Sequence, residues 1–158
     1  MSNKSMKAIM KEDVKERGTQ EFPGIERYKD ENGQPIPFII KCLNQKELEE
    51  IRAQYKEEHP FKDKDGKYVF LNDGTVATRR TNDTAKAGLD ILVSAFVHPK
   101  IDEEEIMAYY GVLKRLDMPY TIFPTSEEFR YANKCVMEAC GISAKKKDDS
   151  EVVEDLKN

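Results

Sequence analysis

One four-residue pattern recurs along this chain and constrains its architecture more than any other feature. It reads Asn44-Gln45-Lys46-Glu47, then Asp102-Glu103-Glu104-Glu105, then Thr125-Ser126-Glu127-Glu128. A short polar side chain at the first position accepts the backbone N–H three residues on, and the Glu there can reach back to the first residue's own N–H. Each copy therefore predicts a helix start. Leu43 with Leu48, and Ile101 with Ile106, add apolar staples to two of them. The first helix carries Leu48, Ile51 and Tyr55 on one face and is predicted to stop at His59-Pro60, because a residue before proline avoids helical angles. The second leads to Gly111, placed to end or kink it, with a short helical turn expected from Val112 to Leu116. Met118-Pro119 and Phe123-Pro124 read as a stiff connection. The third opens a helix with Phe129, Ala132, Val136 and Cys140 facing inward, capped by Gly141. A further helix is predicted from Asn82 to Val97, with Ala85, Leu89, Leu92, Val93 and Phe96 on its buried face.

The strand signals are fewer. Residues 22–43 read as a β-hairpin, with Ile25 to Tyr28 as first strand and Asn32-Gly33 in the turn. Phe38, Ile40 and Cys42 share one face of the second strand, whose start Pro35 and Pro37 assign to a sheet edge. Asp65-Gly66 and Asp73-Gly74 are further turns around a strand at Tyr68 to Leu71, and Thr75 to Thr78 reads as another. The predicted fold class is α+β: a mostly helical single domain over residues 22–143 with a small N-terminal antiparallel hairpin or short sheet. Residues 1–21 read as a polar arm or marginal helix, and residues 144–158 as a disordered charged tail.

Composition removes several functional classes. Lys+Arg 26 against Asp+Glu 30 gives a net charge of -4, which leaves no basic footprint for nucleic acid. The first ten residues lack the apolar centre of a signal peptide, and the apolar run Leu89 to Val97 is too short to cross a bilayer. The expected location is the cytoplasm. Cys42, Cys135 and Cys140 are odd in number and form no CxxC pair, so they read as free thiols in a reducing compartment.

No motif carries chemistry. GxGxxG and GxxxxGK[ST] loops are absent. Asp63-Lys64-Asp65-Gly66 begins like a calcium loop, but the twelfth position, where the bidentate Glu belongs, is Gly74. His59 and His98 both precede proline at predicted helix ends, and no metal-ligand spacing links them to cysteine or carboxylate. A nucleophile built from Cys135 or Cys140 with His98 has no local support. Glu103-Glu104-Glu105 is explained by the helix dipole. No catalytic residue, cofactor or metal is expected. Tyr109-Tyr110 and Phe123 would mark an interface only if they cluster.

Two segments resemble the XkdN-like family of phage tail assembly chaperones. Arg27 to Lys41, reading RYKDENGQPIPFIIK, is similar to that family's R-x-K-D-E-x-G-x-P-I-P-F hairpin. The stretch from Val97-His98-Pro99 through Glu105-Ile106 and Tyr110-Gly111-Val112 to Glu128-Phe129 is similar to its V-x-P-x-L-x-x-x-E-L-x-x-x-Y-G-V region and the last helix beyond. Where the family often has L-P-G-E, this chain has Phe123-Pro124-Thr125-Ser126-Glu127-Glu128. The resemblance implies a non-catalytic chaperone, of phage or prophage origin, that binds the tape measure protein and keeps it soluble. It also implies contact with the tail-tube protein through a frameshifted C-terminal extension, and leaves self-association open. The expected mode is an apolar surface accepting amphipathic helices, with Tyr109, Leu113, Leu116, Phe123 and Phe129 as exposed contact residues. The competing expectation is a phage-encoded regulatory or host-interaction module without catalytic activity.

Overall fold

The computed structural model of the chain describes residues 6, 7, 9, 10 and 18–142. The arm predicted over residues 1–21 lies mostly outside these, and the tail over 144–158 wholly so. In chain order the elements are β1 (Thr19–Phe22), β2 (Phe38–Lys41), α1 (Gln45–Ala53), β3 (Lys56–Pro60), β4 (Thr78–Asn82), α2 (Thr84–Ala95), β5 (Phe96–His98), α3 (Glu104–Tyr110), a 3-10 turn (Arg115–Asp117), α4 (Met118–Ile122) and α5 (Ser126–Ala139). The fold class is α+β, as predicted. The chain groups into two units: one holds the residues up to Leu43 and from Leu92 onward, the other Asn44–Ile91.

The first unit is built on an antiparallel sheet in the order β1-β2-β5, with Phe22 opposite Phe38 and Thr19 opposite Lys41. The ladder from β2 to β5 pairs Ile39 with His98 and Ile40 with Phe96 across an irregularity in register. Alternation along β2 buries Phe38 and Ile40 on the face that α5 covers. The strand expected at Ile25 to Tyr28 is displaced: β1 lies earlier, and residues 28–36 close a smaller loop of their own. Ile36 N–H donates to the Tyr28 carbonyl (2.9 Å) and Asp30 N–H to that of Gln34 (2.8 Å). Asp30 Oδ1 accepts the N–H groups of Asn32 and Gln34 (both 2.9 Å), and Gly33 takes the left-handed backbone at φ 77°. Nor is β2 an edge strand. Both prolines precede its first residue, so no ladder donor is lost and it can be central.

Phe38 is the centre of the core. Its ring meets Phe96 at 5.2 Å, Phe123 at 5.8 Å and Tyr131 at 6.0 Å, and the first two contacts are edge-to-face. Helix α5 contributes buried Ala132, Cys135, Val136 and Ala139. It ends as predicted, with Gly141 at φ 67° and Ile142 N–H donating to the Met137 carbonyl at 2.8 Å. Where a stiff connection was expected, Pro119 lies in the first turn of α4, a position that needs no N–H, and the chain stays helical.

The second unit opens with α1, capped by Asn44 and Glu47 in a reciprocal box (2.8 and 3.0 Å). Helix α1 ends at Ala53 rather than at His59. The following residues are drawn into β3, which pairs with β4 from Lys56 opposite Asn82 to Pro60 opposite Thr78. Proline is tolerated there because β3 pairs on one side only. The strands expected at Tyr68 to Leu71 and Thr75 to Thr78 reduce to the isolated bridges Lys62–Tyr68 and Phe70–Val76, followed by β4. The Asp63 turn repeats the Asp30 plan, its Oδ1 accepting from Asp65 (2.9 Å) and Lys67 (3.0 Å). Helix α2 starts at Thr84, with Asp83 accepting the Lys86 N–H at 3.1 Å, and gives way to β5 at Phe96 instead of running to Val97. The one buried charge among the described residues, Asp90, accepts the Tyr55 hydroxyl at 2.6 Å.

Candidate functional site

The three capping patterns meet three fates, and two of them shape a groove in the first unit. At α3 the helix begins one residue late: Glu103 is its cap and makes no side-chain bond there. Asp102 is engaged elsewhere, accepting from Arg115 at 3.4 Å. Buried Ile101 anchors the start, and Gly111 ends the helix at φ 66°. This short helix presents Glu105, Ile106, Tyr109 and Tyr110 to the groove.

At α5 the cap is half made. Thr125 Oγ accepts the Glu128 N–H at 3.2 Å, but the Glu128 carboxylate is not given over to the Thr125 backbone. It accepts the Thr125 hydroxyl at 2.6 Å and the Arg27 guanidinium at 2.7 and 2.8 Å. Those bonds hold the Glu128 carboxyl down at about 2, the Arg27 bond contributing most. Arg27 thus fastens the loop before the Asp30 turn to the start of α5. Two more bonds fasten the same loop: Tyr28 donates to the Ile122 carbonyl and Tyr131 to that of Pro23, both at 2.6 Å. Burial, with Tyr110 as a hydrogen-bonding neighbour, pushes the Tyr28 hydroxyl up to about 12. Gly24 lets the loop close, since a Cβ there would collide with the Ile36 carbonyl.

The result is an apolar groove of about 510 Å³. Tyr28, Ile36 and Phe38 line it from the loop and β2, His98 and Pro99 from the end of β5, and Ile122 from α4. On the α3 side the rings of Tyr109 and Tyr110 stand perpendicular, 5.0 Å apart. Tyr109 is 83% exposed, and Leu113, two residues past Gly111, is 96% exposed.

The five residues predicted as contacts do not line this groove together. Tyr109 does. Leu113 is exposed beyond the end of α3, and Leu116 is half-buried in the 3-10 turn. Phe129 stacks on Tyr120 at 5.3 Å and lines a separate depression with Pro124. Phe123 was expected on the surface and is not there: it is 1% exposed, turned inward by α4 against Phe38 and Phe96. Sequence reasoning missed Tyr28, Ile36 and Ile106 as groove residues. The adjacent Tyr109-Tyr110 pair was the one visible signal; its two rings meet, but Phe123, the third member of the expected cluster, packs in the core instead.

Cys135, the candidate nucleophile, is not among the residues that line the groove. Burial pushes the Cys135 thiol up, which disfavours the thiolate. Among the described residues no group of three or more His, Cys, Asp or Glu could hold a metal, and no helix is long and apolar enough to cross a membrane.

Comparison with known proteins gives two matches. A family described as phage XkdN-like tail assembly chaperone protein matches residues 6–157. The fold is similar to a crystal structure of the protein yqbn, with a TM-score of 0.63 at 14% identity, covering 86% of this chain and 96% of that one. No curated protein matches in sequence.

Proposed function

The chain belongs to the XkdN-like phage tail assembly chaperones, and from that premise we propose that it binds the tape measure protein and keeps it soluble until tail-tube subunits polymerise around it. The observation that carries this reading is the open apolar groove, with Tyr109 and Leu113 exposed at and beyond α3. Single exposed apolar side chains are ordinary, but an apolar groove with such side chains at its rim is the kind of continuous surface that marks a binding site. A groove of this kind accepts the apolar stripe of an amphipathic helix, and a long helical chain supplies many such stripes. In this reading the protein is not an enzyme. It works in the cytoplasm of the bacterial host, and a frameshifted extension of its C-terminus recruits the tail-tube protein. The test is co-expression with a tape measure protein from the same phage element. A rise in soluble tape measure protein, with the two proteins co-purifying, is expected. An unchanged insoluble fraction would contradict the reading and favour a regulatory or host-directed binding module.

A further inference from the structure

Glu105 is the one carboxylate in a groove otherwise lined, apart from His98 at the end of β5, by tyrosine, phenylalanine and aliphatic side chains, and it points to the chemistry of the occupant. Glu105 lines the groove together with Ile106, Tyr109 and Tyr110. No ion pair, hydrogen bond or electrostatic partner engages Glu105 among the described residues. A wholly apolar helix laid over it would strip water from a carboxylate and offer nothing in return, which is unfavourable. A cation laid there would meet the carboxylate and the electron-rich faces of tyrosine rings at once. Its charge also complements the neighbouring acids Glu103 and Glu104 at the start of α3. We propose that the groove selects amphipathic helices that carry one arginine or lysine within the apolar stripe, the cation seated between the tyrosines and Glu105. This rests on the helix-binding reading above and adds the rule by which one helix is preferred over another.

The test uses the full chain and two synthetic amphipathic helical peptides with the same leucine–alanine stripe, one with arginine and one with methionine at its centre. Binding is read by fluorescence anisotropy. The arginine peptide is expected to bind about tenfold more tightly, a preference that shrinks at high salt. Glu105→Gln, on an exposed position, is expected to remove the preference, weakening the arginine peptide and tightening the methionine peptide, whose apolar centre no longer strips water from a carboxylate. Equal affinities for the two peptides, or a preference that survives Glu105→Gln, would overturn the selection rule and leave helix binding intact. Failure of both peptides to bind would also overturn it, and the co-expression experiment then decides the wider reading on its own.

Discussion

Arg27 and Glu128, 101 positions apart in sequence, meet in a two-pronged ion pair at 2.7 and 2.8 Å. One partner belongs to the hairpin segment and the other opens the last helix. The pair therefore joins the two stretches that carry the family resemblance, and it holds the loop that supplies Tyr28 and Ile36 to the groove. Its role here is positional. The groove exists because this loop is fastened at Arg27, Tyr28 and Pro23 while Gly24 lets it approach its own return strand.

The pair makes stability depend on acidity in a set direction. Glu128 titrates at about 2 in the folded chain against an ordinary 4.5, so its contribution is complete above pH 4.5 and is lost as pH falls toward 2. Arg27→Met should lower the denaturation midpoint at neutral pH and flatten the loss of stability across that acid window. The Thr125 hydroxyl bond leaves some of the slope in place. Urea melts at a series of pH values check this, and parallel acid profiles for the two proteins would contradict it.

Two glycines should respond in opposite ways to alanine. At Gly24 a Cβ meets the Ile36 carbonyl, so Gly24→Ala should destabilise by about 1–3 kcal/mol and loosen the groove loop. Gly88 lies inside α2 with open space around it, so Gly88→Ala should stabilise by about 0.5–1 kcal/mol. Chemical denaturation of both variants measures the two signs side by side.

Core and surface aromatics should separate as cleanly. Phe38→Ala removes the ring around which Phe96, Phe123 and Tyr131 pack, at a cost of about 3–5 kcal/mol. Phe123, once a candidate contact, should behave like Phe38. Leu113→Ala should leave the unfolding midpoint within about 0.5 kcal/mol of the parent, because 96% of its surface is already in water.

How far the sequence could be read depends on the range of the forces involved. Local rules worked where the deciding contacts were local: the Asn44–Glu47 box, the Asp30 and Asp63 turns, and the glycine caps at Gly111 and Gly141 all formed. They failed where a distant partner competed. Asp102 should cap α3 but is drawn to Arg115, and Glu128 should close a box but is held by Arg27. Residues 56–60 carry a helical pattern, yet pairing with Thr78–Asn82 overrides it. The groove was legible only through Tyr109-Tyr110. Tyr28 and Ile36 reach it from one loop and Ile106 from α3, segments whose meeting no local pattern encodes.

The proposed function is tested most directly at the α3 rim. Tyr109→Glu with Leu113→Glu replaces two exposed apolar side chains with charges and touches no core residue. Soluble tape measure protein should then be measured in cells co-expressing either the parent chain or this double variant, with the melting temperature of each purified chain recorded alongside. The expected result is loss of the soluble tape measure protein with the variant's own melting temperature unchanged. Full rescue by the charged variant would contradict binding through this groove.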